Sequence, residues 1–412
     1  MESPFSRSHA LFSRAAAVIP GGIFGHTSPA ASLPGASPYF AQNAQGCRYT
    51  DVDGHEYIDL LCGYGPIILG YNHPEVEAAA ARQARDGNCF NHPAPVMVEL
   101  AERLVALVDF ASWAVFGKNG ADMTSWAIQV AREHTQRKKI LKIAGAYHGA
   151  HPWCTPGHGG WIPEDREHIH AFPWNDLDAF HTLLKRFRNQ VAGVIVTAFH
   201  HPAFGDSILP APGFLPSLQD SCQRAGIVLI LDDVRSGFRL HLGGSHRHFG
   251  FEPDLICFSK ALGNGHPISA ALGRENLRIA ASKVFLTGSF WQSAVPMAAA
   301  LRCLEILERE NVIAHLEQIG AILRAGFLSA AGRHGFSLHY SGPDAMPFFT
   351  FANERNFLRN QAFCRAMIRN GVFLHPHHNW FLCAALQDKD VQEILRAADG
   401  AFRLLREEFP QG

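Results

Sequence analysis

Two charged side chains of opposite sign close two apolar runs. Asp232 ends Val228-Leu229-Ile230-Leu231, and 28 residues later Lys260 follows Leu255-Ile256-Cys257-Phe258-Ser259, ahead of the turn-forming Ala-Leu-Gly-Asn-Gly. An ammonium at the end of a buried strand loses hydration, which favours its neutral, nucleophilic form. Lowering a lysine pKa by about three units corresponds to about 4 kcal/mol. A buried salt bridge between the two is the plainer reading, and such a pair by itself says little about function.

The chemistry that needs both groups without pairing them is that of pyridoxal 5'-phosphate: a lysine takes the cofactor aldehyde and an aspartate faces the pyridinium nitrogen. Such a site also needs an anion cradle and a flat partner for the ring. Asn119, Gly120 and Ala121 precede a predicted helix over 122–136, where unpaired backbone N–H groups and the positive helix end suit a phosphate. Tyr147 supplies a ring for stacking, with His148 beside it, and Arg235 stands three residues past Asp232. Arg235 there suits the cofactor's phenolic oxygen or a substrate carboxylate, with a surface pair with Asp233 as the plainer alternative.

These residues share a setting. Between about 75 and 305, apolar runs (WAVFGK, KKILKIAG, VAGVIVTAF, IVLILDD, DLICFSK) alternate with predicted helices over 95–108, 122–136, 176–189 and 214–225. That alternation predicts an α/β fold with a mostly parallel sheet covered on both faces, whose ligands lie beyond the carboxyl ends of the strands. The expected division is a segment 1–70 belonging to a small domain, a large cofactor-binding domain 71–304, and a small C-terminal α+β domain 305–412. A helix over 7–18, a hairpin around the Asp53-Gly54 turn, and strands in MPFFTFA and GVFLHP complete the reading.

With 47% hydrophobic and 18% charged residues and a formal net charge of −1, the chain gives no electrostatic case for nucleic acid or an anionic membrane. Its nine cysteines are scattered singly with no C-x-x-C pair, which fits a reduced, cytoplasmic protein. Histidines cluster in YHGAHPWCTPGH and HPHHNW, yet their spacings match no closed zinc site, and 24 histidines in the chain make clusters expected by chance. No metal is expected. Both segments read as pocket walls offering hydrogen bonds to substrate hydroxyls, with His26, His200, His377 and Trp380 as candidate substrate contacts beside Arg235.

DVDGHEYIDL, ILGYNHPEV, GKNGADMT, AYHG, LDDVRSGFR, PDLICFSKALGNGHP and TGSFWQSAVPMAAA occur in an order that resembles the class III aminotransferases, in the branch of glutamate-1-semialdehyde 2,1-aminomutase. The resemblance runs from about residue 8 to the C-terminus. It implies fold type I, a homodimer with active sites at the subunit interface, Lys260 holding the cofactor, Asp232 facing its ring nitrogen and Tyr147 stacked on the ring. It also implies Gly120 and Ala121 on the phosphate, with Ser289 where the family often has a threonine reaching the phosphate of the neighbouring subunit.

The departures bear on substrate. The aminomutase carries an arginine for the substrate carboxylate after its N-terminal P-G-G, whereas here no arginine occurs between Arg14 and Arg48. The family's V-E-P reads Val196-Thr197-Ala198, and its D-E-V-M or D-E-V-Q reads Asp232-Asp233-Val234-Arg235. The resulting expectation is transamination between an amino-acid donor such as glutamate and an oxygenated, cyclic or sugar-like ketone of a biosynthetic pathway. An aminomutase moving the amine within one molecule, and a cofactor-binding protein without turnover, are the alternatives.

Overall fold

The computed structural model describes residues 4–25, 28–157, 159–202, 204–352 and 354–410. The chain forms two compact units: Met1–His73 with Ala203–Ser207 and Ala314–Gly412, and Pro74–Pro202 with Ile208–Ile313. The first begins with a helix over Ser6–Val18 and the strands β1 (Ala41–Gln45), β2 (Arg48–Asp51) and β3 (Glu56–Asp59). β2 and β3 pair antiparallel around the Asp53-Gly54 turn, where Gly54 takes a φ of 95° that suits glycine.

The larger unit is organised by one seven-stranded sheet. In chain order its strands are β4 (Trp113–Gly117), β5 (Lys139–Ile143), β6 (Ile169–Phe172), β7 (Val191–Thr197), β8 (Val228–Asp232), β9 (Leu255–Phe258) and β10 (Ser269–Gly273). Their order across the sheet is β4-β10-β9-β8-β7-β5-β6. Every residue of β7, β8, β9 and β10 is buried. That explains their continuous apolar runs, since strands covered on both faces have no solvent side to alternate toward. The helix Gly120–Thr135 covers one face with Met123, Trp126, Ala127, Ile128, Val130 and Ala131, packed on Ile140, Ile195, Ile230 and Leu255. Each such aliphatic side chain contributes roughly 1.5–3 kcal/mol on burial.

Two strands escape the sequence pattern. β6 is a short edge strand, IHAF, with only one buried residue. β10, SAALG, pairs antiparallel to both β4 and β9 and is built of small residues with weak strand propensity. Small size is what its place requires, because a Cβ at Gly273 would lie 2.3 Å from the Trp113 ring. With β10 reversed, β4 runs in the same direction as β9. The carboxyl ends of β4, β5, β7, β8 and β9 therefore open on one edge, as expected for a ligand site.

The smaller unit is completed by β11 (Leu338–Ser341), β12 (Phe348–Phe351) and β13 (Val372–Phe373), the last pairing parallel with β3. Phe327, Phe348, Phe349, Phe351, Phe363 and Trp380 are fully buried there, and Trp380 meets Phe349 edge-on at 5.1 Å. No helix among the described residues is long and apolar enough to cross a membrane.

Close strand contact yields a stability test. A Cβ at Gly193 in β7 would lie 2.6 Å from the Val228 carbonyl oxygen of β8, and backbone has little room to yield. Gly193→Ala should destabilise the protein by about 1–3 kcal/mol, as overpacking commonly does, read as a lowered melting temperature. An unchanged melting temperature would refute the close contact.

Candidate active site

The turn after β4 is shaped by its own carboxylate. Asp122 Oδ2 accepts the backbone N–H of Asn119 at 2.8 Å and of Lys118 at 3.1 Å, a reciprocal cap that starts the helix at Gly120, two residues before the sequence pattern placed it. Gly120 and Ala121 thus form the first helical turn, where N–H groups lack intrahelical acceptors. The backbone here is closely approached. A Cβ at Gly120 would lie 2.7 Å from Val234, and one at Gly149 would lie 2.5 Å from the Ala121 methyl. The turns after β4, β5 and β8 therefore meet at this helix end, leaving a backbone cradle suited to an anion.

Asp232 ends β8 in register with Thr197 of β7 and Cys257 of β9. Its Oδ2 accepts a hydrogen bond from His148 Nδ1 at 2.8 Å, with both residues buried, and its Oδ1 accepts the Val234 N–H at 3.2 Å. Burial pushes the His148 pKa down, outweighing the support it draws from Asp232. The neutral ring with its proton on Nδ1 suits this arrangement. His148 is further held by Trp153, stacked at 6.0 Å with 12° between planes, and its carbonyl accepts the Thr124 hydroxyl at 2.8 Å. His148 Nε2 is buried and finds no partner among the described residues.

Asp233 has a different task. It is fully buried and accepts hydrogen bonds from the hydroxyls of Ser236 at 2.7 Å and Ser245 at 2.5 Å, and from the Ser245 N–H at 2.8 Å. Burial raises its pKa to about 6 despite these donors. It clamps the segment after β8. Arg235 is partly buried; burial pushes its pKa down to about 9, against the opposing pull of Asp232 and Tyr147, and the group stays charged at neutral pH.

Lys260 follows β9 with a φ of 45°, a left-handed conformation that costs a side-chain-bearing residue energy and recurs at functional sites. The loop carrying it is closed by the Ser259 hydroxyl on the Ile268 carbonyl at 2.9 Å. Burial pushes the lysine pKa from 10.5 down to about 7, with Arg235 acting in the same sense and Asp232 opposing. Roughly half of the population is then neutral at pH 7, against fewer than about one in a thousand for an unperturbed lysine. The structure thus holds a desolvated amine and a histidine-backed carboxylate in one field.

The family model for class III aminotransferases matches residues 31–393. The chain belongs to the class III aminotransferases. It is 44% identical over 404 residues, 98% of this chain and 96% of the relative, to the aminopentol aminotransferase of Sphingopyxis macrogoltabida. Identity is 35% over 398 residues, 95% of each, with the 3-aminobutyryl-CoA aminotransferase of Cloacimonas acidaminovorans. The fold matches that of the FumI protein of Sphingopyxis sp. MTA144, solved in its pyridoxal phosphate internal aldimine form, with a TM-score of 0.96 at 43% identity and 98% of both chains covered. A glutamate-1-semialdehyde aminomutase of Pseudomonas aeruginosa shares the fold at a TM-score of 0.86 and 22% identity, over 96% of this chain and 94% of that one. This class III aminotransferase is a fold type I enzyme that uses pyridoxal phosphate.

The residues present fit that cofactor: the cradle has no room for a Cβ at Gly120 and carries only a methyl at Ala121, and Asp232 keeps its hydrogen-bonding face fixed by a buried imidazole. Of the other residues singled out from sequence, Tyr147 is 42% exposed, with its pKa raised by burial, then by Cys154 and Asp232. His200 is buried, stacked on Trp174 at 6.0 Å, and its pKa is lowered by burial and by His148. Ser289 is exposed on the larger unit, and His26 lies outside the described residues. His377 belongs to the smaller unit, against Phe204 and Phe357 and with Gln361 at 3.2 Å.

Two expectations need correction. Trp380 is fully buried and its indole N–H donates to the His375 carbonyl at 2.9 Å, so it is core and offers a substrate nothing. The YHGAHPWC segment is turned inward: His148 serves Asp232, and His151 Nδ1 meets the Ser125 hydroxyl at 2.7 Å, where the Trp153 indole also donates at 2.9 Å. Thr124, Ser125, Trp153 and Ser245 carry no local sequence signal of these contacts. Their partners lie 12 to 28 residues away, beyond any local spacing rule.

The lowered lysine pKa sets a pH dependence. A neutral amine is the attacking form, so capture of pyridoxal phosphate by the apoenzyme should accelerate as pH rises and level off with a midpoint near 7. Stopped-flow absorbance would measure it. A rate still climbing at pH 9 would show that burial leaves the lysine unperturbed.

Proposed function

We propose that the enzyme exchanges an amino group between an amino-acid/keto-acid pair, with glutamate as a donor, and a hydroxylated amine/ketone pair of a biosynthetic or degradative pathway. The observation that carries this reading is full-length 44% identity to an aminotransferase whose named substrate is an amino-polyol. The absence of an arginine between Arg14 and Arg48 supports a substrate half that carries no carboxylate there. It also weighs against the aminomutase reading, for which the likeness at 22% identity supports the fold alone. Lys260 beside Asp232 weighs against a protein without turnover.

When bound, pyridoxal phosphate supplies an electron sink for the substrate carbon. In this reading Lys260 attaches the cofactor, and its amine, once displaced, takes a proton from the substrate carbon and returns one. Asp232, oriented by His148, presents a carboxylate to the ring nitrogen. Tyr147 covers the ring, Asn119, Gly120 and Ala121 hold the phosphate, and Ser289 serves the phosphate of a second subunit. Arg235 is assigned to the phenolic oxygen or to the carboxylate of the keto acid, and His200 and His377 to substrate hydroxyls.

A homodimer is part of the proposal. Phe285, Phe290 and Phe90 are 85%, 66% and 47% exposed on the larger unit, bare aromatic side chains that burial by a second copy would cover. The nine cysteines form no disulfide among the described residues and eight are buried, which suits a reducing cytoplasmic setting.

Glutamate should bleach the visible band of the loaded enzyme, and a hydroxylated ketone should restore it. Failure of every amino acid to bleach the band, with isomerisation of a single amino-carbonyl compound instead, would establish the mutase. Arg235→Gln should raise KM for the keto acid by on the order of tenfold or more, the scale of a lost charge-assisted contact. An unchanged KM would remove Arg235 from the carboxylate.

A further inference from the structure

The residue just ahead of the phosphate cradle carries a charge that the reaction as described does not use. Lys118 follows β4 and is partly buried; its Nζ donates to the Ser293 hydroxyl at 2.5 Å, and Ser293 in turn donates to the Phe290 carbonyl at 2.7 Å. Among the described residues Ser293 is the one hydrogen-bond partner of this ammonium, and no carboxylate pairs with it. Asp122, the acid nearest in sequence, spends Oδ2 on the backbone N–H groups of Lys118 and Asn119. The helix Ala294–Arg309 beginning beside Ser293 offers no acceptor at this end, and its first two N–H groups are taken by the Asn88 carbonyl and side chain at 3.1 and 3.0 Å.

A desolvated cation without a counter-charge is costly, and structures rarely keep one unless an anion completes it. Burial pushes the Lys118 pKa down to about 8, against a small opposing contribution from Cys89, the signature of such a gap. The anion site lies next along the chain, at Asn119, Gly120 and Ala121. The backbone of Lys118 is already fixed to that turn through Asp122, and its side chain is fixed to the segment that carries Ser289 and Phe290.

We infer that Lys118 is a positioning residue for the cofactor phosphate: held by Ser293, it sets a positive charge beside the Asn119–Ala121 cradle and ties that cradle to the 287–293 segment. The charge offsets the phosphate's negative charge, and the tether keeps the turn in one place before the cofactor arrives.

Phosphate dependence separates this role from a general structural one. Apoenzyme is titrated with pyridoxal 5'-phosphate and, separately, with pyridoxal, and binding is read by absorbance. Lys118→Gln, which keeps a donor but loses the charge, should weaken the phosphorylated compound on the order of tenfold, as loss of a charge-assisted interaction does. Pyridoxal binding should stay within about twofold. Ser293→Ala should give a smaller loss with the same selectivity, and Lys118→Arg should retain most of the affinity. Equal losses for both compounds, or no loss for either, would overturn the inference. Wild-type enzyme that binds neither compound would instead overturn the cofactor assignment itself. Should Lys118→Gln fail to fold, Ser293→Ala decides alone, by selective loss or by none.

Discussion

The hydrogen bond from His148 to Asp232, made where water is excluded, is the constraint around which the larger unit is arranged. A carboxylate at a strand end in so dry a place needs donors supplied by the protein, and they come from two directions: the imidazole of the turn after β5 and the Val234 N–H of its own loop. His148 must itself be held: Trp153 of the following loop stacks on its ring, and the Thr124 hydroxyl of the covering helix donates to its backbone carbonyl. Thr124 lies in the same helix whose first turn makes the anion cradle. One chain of contacts thus runs from cradle to carboxylate, so displacement of either end is felt at the other.

Lys260 presents the complementary problem. In the proposed role its amine must be desolvated, yet desolvation beside Arg235 has a cost that the Asp232 charge offsets only in part. The fold supports that expense through sheer burial of the neighbouring strands. β8 and β9 carry no exposed residue, and the left-handed φ of Lys260 is maintained by a loop pinned at both ends.

Much of this was legible in the amino-acid order because parallel strands buried on both faces leave long apolar runs, and the residue ending each run is placed by topology. Lys260, Asp232 and the Asn119–Ala121 turn are placed at the ends of β9, β8 and β4 in that way. β10 could not be read so, since its last residue, Gly273, answers to the Trp113 ring across the sheet rather than to any local propensity. Nor could the inward turn of His148 and His151. A histidine-rich loop reads as a polar wall until the partners Asp232, 84 residues away, and Ser125, 26 residues away, are in place. Trp380 misled for a related reason: flanked by histidines and an asparagine it reads as a pocket residue, but its indole is consumed by the carbonyl five residues earlier.

The reversed strand β10 has a mechanical consequence. The ten residues from Ser259 to Ile268 leave β9 and return in its hydrogen-bonded neighbour, with Ala270 opposite Phe258. The lysine therefore rides on a closed buckle, not on a tether that could lengthen. A slide of β10 by one register step would put a side chain where Gly273 clears the Trp113 ring. Variation in what the enzyme accepts has to come from loops that are open at one end, while the segment bearing the amine stays at a single length.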